Sequence, residues 1–280
     1  MNKLKQGIVS LYRKVATSLP PDVEEALKGA EALEDQSPAK NELQRMLGNI
    51  KHSRKETRPL CLDTGVPVFH ISLPGGIKQS SVIEAVMEAT REATEKIPLV
   101  PNAVNVITKE NTDDNTGEGF PIIYFEETDS THMTVELMLL GAGVEGLGRT
   151  YILPDASIKA DRSMEGVRQC VMDTIERADG KGCPPYIIGV GIGTTRDRVT
   201  WLSKQQLRRK LGDTNPIESL AALELKLCDE INRTGIGPGG LGGKSTALGV
   251  KIGAHHRHTD TFFVDVTLLC WNTRRGKLIW

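Results

Sequence analysis

The chain of 280 residues carries 35 basic and 36 acidic side chains, a formal net charge of −1, with 39% hydrophobic and 25% charged residues. A chain of this length can form one large domain or two modest ones with substantial cores, and the composition is that of an ordinary globular protein. The balanced charge excludes a basic footprint for nucleic acid, and no apolar run approaches the roughly 18 residues of a spanning helix, so neither nucleic acid nor membrane is an expected partner.

The opening stretch, MNKLKQGIVSLYRKVATSLP, is mildly basic but lacks a continuous apolar core and a small-residue cleavage site. It is expected to be an N-terminal extension (residues 1–20) before a single domain over 21–280, and not a secretory signal. Pro20-Pro21-Asp22 suits a helix start, and Val23, Ala26, Leu27 and Ala30 follow at helical spacing. A second helix is expected over about 39–53, with Leu43, Met46, Leu47 and Ile50 on one stripe. Arg58 to Gly65 breaks the pattern with a loop that sets Cys61 and Asp63 two residues apart. A strand is then expected over 66–73, and an amphipathic helix over 80–95 with Val82, Ile83, Val86, Met87 and Ala93 facing inward.

Residues 99–107 read as strand or extended chain. The next segment, NTDDNTG (111–117), is a dense turn whose side chains can bond their own backbone, either punctuation or the polar wall of a site. Strands over 122–127 and 132–140 lead to a glycine-rich loop, 141–148. A helix over 161–177 holds Cys170 among Val167, Val171 and Ile175, which reads as core.

The segment GKGCPPYIIGVGIGTT (180–195) holds Cys183 at a rigid Pro-Pro turn. Its strand followed by Gly-x-Gly resembles a dinucleotide fingerprint, but Thr194 takes the sixth position and no acidic residue ends a later strand at the required spacing. Helices are expected over 198–211 and 216–233, the second containing Cys228 as a packing residue. Then comes TGIGPGGLGGKST (234–246), where close backbone approach and exposed amides are possible. It ends like a phosphate-binding loop, yet Pro238 occupies the place of the required first glycine. Both near-misses count against a nucleotide-binding protein. Two apolar strands follow, with His255, His256 and His258 in the turn between them, and the second delivers Cys270 beside Trp271 and the pair Arg274-Arg275.

Five cysteines, an odd number in such a chain, fit thiols or metal ligands in a reducing, cytoplasmic setting better than a disulfide framework. Cys61, Cys183 and Cys270 sit in loops or at strand ends; Cys170 and Cys228 sit in helices. Three loop thiols could hold an iron–sulfur cluster with one iron open. Spacing alone leaves that reading and a packing role both open. The expected architecture is α+β, with mixed sheets flanked by helices and with glycine-rich loops and the three loop cysteines converging on one site.

The segments PLCLDTG (59–65), NTDDNT (111–116), CPPYIIGVGIGTT (183–195), INRTGIGPGGLGGKST (231–246) and CWNTRR (270–275), in this order, resemble the alpha subunit, or N-terminal domain, of class I fumarate hydratases and L-tartrate dehydratases. The resemblance implies that Cys61, Cys183 and Cys270 hold a [4Fe–4S] cluster whose fourth iron is open to substrate. It also implies that Asp63, His258 and Gly143 lie at the substrate. The implied reaction is reversible dehydration of a small hydroxy-dicarboxylate, and the implied partner is a beta subunit that supplies the proton-abstracting base and further cations in an alpha2-beta2 assembly. The chain departs from the family at Leu62, where Gln is usual, at Val100, where Arg is usual, and at Leu140, where the family carries Lys. Losing two cations from the site leaves a dianion with fewer partners, so a cluster-binding, non-catalytic paralogue is the alternative.

Overall fold

The computed structural model describes residues 1–280, and the chain divides into two compact units. The first comprises Met1–Pro20, Gly48–Ala142 and Asn272–Trp280; the second comprises Pro21–Leu47 and Gly143–Trp271. Each is built on one mixed four-stranded sheet, and the architecture is α+β as expected.

In the first unit, α1 (Asn2–Thr17) and α4 (Gln79–Lys96) pack on each other, and α1 also packs on a sheet of β1 (Val66–Pro74), β2 (Ile122–Thr128), β3 (Thr134–Leu140) and β8 (Arg274–Ile279). The residues expected as an extension thus supply a core helix: Leu4, Ile8, Leu11, Tyr12 and Val15 recur at three- and four-residue spacing and are all buried, the stripe of a surface helix. On α4 the same logic buries Val82, Val86, Ala89 and Ala93 but turns Ile83 to solvent, because a residue adjacent to the stripe is rotated out of it. The order across the sheet is β2-β1-β3-β8. β2 runs parallel to β1, β3 antiparallel to β1, and β8 antiparallel to β3. Residues 99–107 form no strand; their only ladder contact is an isolated bridge between Val104 and Asn111, and the Asn105 side chain accepts the N–H groups of Ile107 and Thr108, which turns the chain.

In the second unit, α2 (Pro21–Leu33) leads into α3 (Ser37–Glu56), which crosses the boundary between the units. A short α5 (Ala142–Glu145) precedes β4 (Arg149–Ile152); α6 (Met164–Ala178), α7 (Arg196–Gln206) and α8 (Glu218–Arg233) then accompany β5 (Tyr186–Gly193), β6 (Ala247–Ala254) and β7 (Phe263–Leu269). The sheet order is β4-β7-β5-β6, with β5 and β6 parallel and the other pairs antiparallel. Every residue of β5 is buried, as expected of a central strand covered on both faces.

The two sheets share one plan: a central strand, a helical crossover to a parallel neighbour, then an antiparallel strand on the other side. The fourth strands are exchanged in the chain. β4 follows β3 but joins the second sheet; β8 follows β7 but joins the first. The crossings between sheets are residues 141–148 and 270–273, both singled out by the sequence.

Candidate functional site

In the first unit the loop before β1 exposes Cys61 and half-buries Asp63. The Asp63 carboxylate accepts two backbone N–H groups, from Gly65 at 3.0 Å and from Ala142 at 2.7 Å. Gly65, at φ +84°, is required here: a Cβ would lie 2.8 Å from the Leu140 carbonyl oxygen. A Cβ on Gly141 would meet Asp63 Oδ2 at 3.2 Å and Arg274 Nη2 at 3.8 Å, so the buried Arg274 guanidinium and the Asp63 carboxylate flank the same point. This juxtaposition was not legible from the sequence, where Arg274 stood only in a run of cations.

The NTDDNT turn is more than punctuation. Asn115, buried and at φ +58°, donates to the Thr94 hydroxyl at 3.1 Å and to the Val100 carbonyl at 3.0 Å, and it accepts the Asn102 N–H at 2.6 Å. Thr64 Oγ1 accepts the Val100 N–H at 3.0 Å. Val100 is thereby fixed beside the Cys61 loop.

In the second unit the two glycine-rich loops meet at Cys183. A Cβ on Gly182 would lie 2.6 Å from Leu147 and 3.3 Å from Val144, and one on Gly180 would lie 2.7 Å from the Cα of Gly240. The Gly239 N–H donates to the Pro184 carbonyl at 2.9 Å. Cys183 itself has φ +62°, an uncommon conformation for a non-glycine residue that costs roughly 1–2 kcal/mol and persists where the surroundings impose it. The Trp271 N–H donates to the Cys183 carbonyl at 3.3 Å, which ties the segment after Cys270 to Cys183. Burial, chiefly, holds the Tyr186 hydroxyl protonated well above its usual range, with the nearby acidic groups Cys183, Asp179 and Cys270 acting in the same direction. Gly143 is exposed, with open space where a side chain would stand.

His258 departs from the expected convergence. Ile187 lies opposite Leu269 and Gly193 opposite Phe263, so Cys183 and Cys270 share one end of this sheet and the histidine turn occupies the other. The Thr194 hydroxyl holds the His256 carbonyl at 2.6 Å at that far end. β7 between them has 7 residues, a rise of roughly 24 Å. His258 is exposed, and its Nδ1 accepts the Asp260 N–H at 3.1 Å.

No cysteine forms a disulfide. Burial pushes the Cys170 thiol up to about 12 and raises that of Cys228 as well, so both are protonated packing residues. Cys61 and Cys183 are exposed and Cys270 is half-buried. No three His, Cys, Asp or Glu side chains are arranged around a single metal ion. A cluster makes a different demand, since each thiolate binds a different iron and the ligands stand farther apart. Two exposed loop thiols and the half-buried Cys270 after a strand, set apart from two helical thiols that burial keeps protonated, are the donor type that chemistry takes. Asn272, two residues beyond Cys270, buries both amide atoms without a hydrogen-bond partner, an orphan that marks a segment whose bonding is incomplete.

A family model described as fumarate hydratase matches residues 5–279. A relative in Geobacillus stearothermophilus, described as a class I fumarate hydratase, is 39% identical over 279 residues, covering 98% of this chain and 54% of that protein. A relative in Methanocaldococcus jannaschii described as an L(+)-tartrate dehydratase subunit alpha is 37% identical, covering 98% of this chain and 96% of the relative. The subunit of the same description in Escherichia coli K12 is 33% identical, covering 100% and 91%. The chain therefore spans about half the length of the first relative and nearly all of the other two. No helix is long and apolar enough to cross a membrane.

Proposed function

Since this chain belongs to the fumarate hydratase family, whose members are hydro-lyases, we propose that it is the cluster-bearing half of an enzyme that reversibly removes water from a small hydroxy-dicarboxylate. The observation that carries the reading is the division of its thiols. Cys61, Cys183 and Cys270, in loops or at a strand end with the first two exposed, hold a [4Fe–4S] cluster; Cys170 and Cys228, helical thiols that burial keeps protonated, do not.

When bound, a cluster with one iron lacking a protein thiolate supplies a Lewis acid for the substrate hydroxyl. Asp63, fixed by two backbone N–H groups, orients that hydroxyl, and the exposed Gly143, in the single turn of α5, offers its amide to a substrate carboxylate. Loss of water also requires a base for the β-proton, and that base belongs to a second subunit. Two relatives are described as alpha subunits, and the Geobacillus relative has nearly as much chain again beyond the match. His258, a strand's length from Cys270 in its own unit, serves the site of a second copy of the chain, which an alpha2-beta2 complex contains.

The test is reconstitution. The isolated chain, loaded with iron and sulfide under anaerobic conditions, is expected to hold a cluster yet neither hydrate fumarate nor dehydrate malate or tartrate. Co-expression with a beta subunit gives a complex that turns over one of these acids or a close relative. A fully active isolated chain overturns the two-subunit reading, and a complex that binds no hydroxy acid leaves the non-catalytic paralogue in its place.

A further inference from the structure

A cavity of about 570 Å³ opens in the first unit beside Cys61, within the size range of small-molecule sites. Leu60, Leu62, Pro98 and Val100 wall it, and Arg58 is the one fixed charge in its lining. Leu62 stands between Cys61 and Asp63 in the chain, yet its side chain is 92% exposed, and Val100 is 43% exposed. These two apolar side chains are uncovered at the mouth of a cavity that contains a proposed cluster ligand. Val100 is not there by slack, since Thr64, Asn102 and Asn115 pin its segment.

From this lining we propose that the cavity is an apolar subsite for an alkyl branch on the hydroxy-dicarboxylate, with Leu62 and Val100 as the specificity-determining residues and Arg58 free to meet one carboxylate at the rim. The proposal rests on the hydro-lyase reading above. A carboxylate pressed against Leu62 and Val100 loses water without gaining a cation. A methyl or ethyl group there removes apolar surface from water on both sides. A single methylene in such a pocket changes discrimination by about 10-fold to 200-fold.

Two measurements test it. In the cluster-loaded complex with its beta subunit, kcat/KM is compared for malate and its 2-methyl and 3-methyl derivatives. At least one methyl derivative is expected to exceed malate by about tenfold, and Leu62→Gln with Val100→Arg is expected to reverse the order. Both side chains are exposed, so folding tolerates the change.

The second measurement needs no turnover. In the full chain without cluster, the rate of Cys61 alkylation by iodoacetamide is followed by peptide mass spectrometry with each acid present. The methyl derivative slows it more than malate does, and the double variant reverses that order. Equal protection, better protection by malate, or no protection by any acid overturns the subsite. A complex that turns over none of the acids sinks the hydro-lyase reading, while the alkylation rates still decide the subsite.

Discussion

Glu34 is the side chain whose removal the structure values most sharply. It is 1% exposed; Oε1 accepts the N–H groups of Asp35 and Gln36, both at 3.1 Å, and Oε2 accepts the N–H of Lys244 at 2.7 Å. One carboxylate therefore holds the start of α3, where negative charge is favoured, to the end of the second glycine-rich loop. Glu34→Gln keeps the shape but has one acceptor oxygen. With that oxygen left on Asp35 and Gln36, the amide NH2 faces the Lys244 N–H, donor against donor; the flipped amide leaves two N–H groups unmet. The first arrangement is the cheaper. It orphans one buried donor, about 1–3 kcal/mol, and converts two charge-assisted bonds to neutral ones at about 1 kcal/mol each, for a total of about 3–5 kcal/mol. Urea unfolding of the isolated chain measures it, read on the transition of the second unit, because two units need not unfold together. Lys244→Ala is the control. It keeps the backbone N–H and removes only two exposed bonds of the ammonium, to Asp35 and to the Leu33 carbonyl, so it shifts the midpoint far less. A loss below about 0.5 kcal/mol for Glu34→Gln refutes the reasoning, and equal effects of the two variants do so as well.

Cys61→Ser, Cys183→Ser and Cys270→Ser are each expected to lower iron per chain in the reconstituted protein, with Cys170→Ser and Cys228→Ser near wild type; full iron in Cys183→Ser removes it from the ligand set. Exposure to air is expected to convert the centre to a three-iron form visible by electron paramagnetic resonance, since one iron has no thiolate to retain it; retention of all iron through prolonged aeration argues for a fourth protein ligand. Asn115→Ala loses three hydrogen bonds of a buried side chain and places alanine at φ +58°, for a destabilisation of about 3 kcal/mol by chemical denaturation; an effect within about 0.5 kcal/mol of zero, roughly the scatter of surface substitutions, contradicts the pinning of Val100. In the cluster-free chain at pH 8, Cys170 stays unalkylated while Cys61 and Cys183 react. A thiol titrating at about 12 is about one part in ten thousand thiolate there, and its reactivity rises only as the pH climbs toward that value. Finally, mixing Cys270→Ser chains with His258→Ala chains in the assembled complex is expected to recover part of the activity that each lacks alone; no recovery rules out a His258 that serves a second copy.

The sequence by itself determined what depends on local periodicity and on residue chemistry. The stripes of α2, α3 and α6 placed Leu27, Leu43 and Val171 inside, because a 3.6-residue repeat marks a helix face wherever the helix ends up. It also separated Cys170 and Cys228, which sit within helices, from three thiols in loops and at strand ends, and it fixed where glycine had to stand. Tertiary structure decided everything that turns on pairing across distance. The polar run Arg274–Ile279 became β8 because β3 offered it an unpaired edge, and the exchange of β4 and β8 between sheets has no local signal. Residues 99–107, apolar enough for a strand, found no partner and were turned by Asn105 instead. The same pairing separated His258 from Cys270. Twelve residues apart in the chain reads as near, but seven of those between them lie extended in β7, and an extended strand converts sequence separation into length at about 3.4 Å per residue.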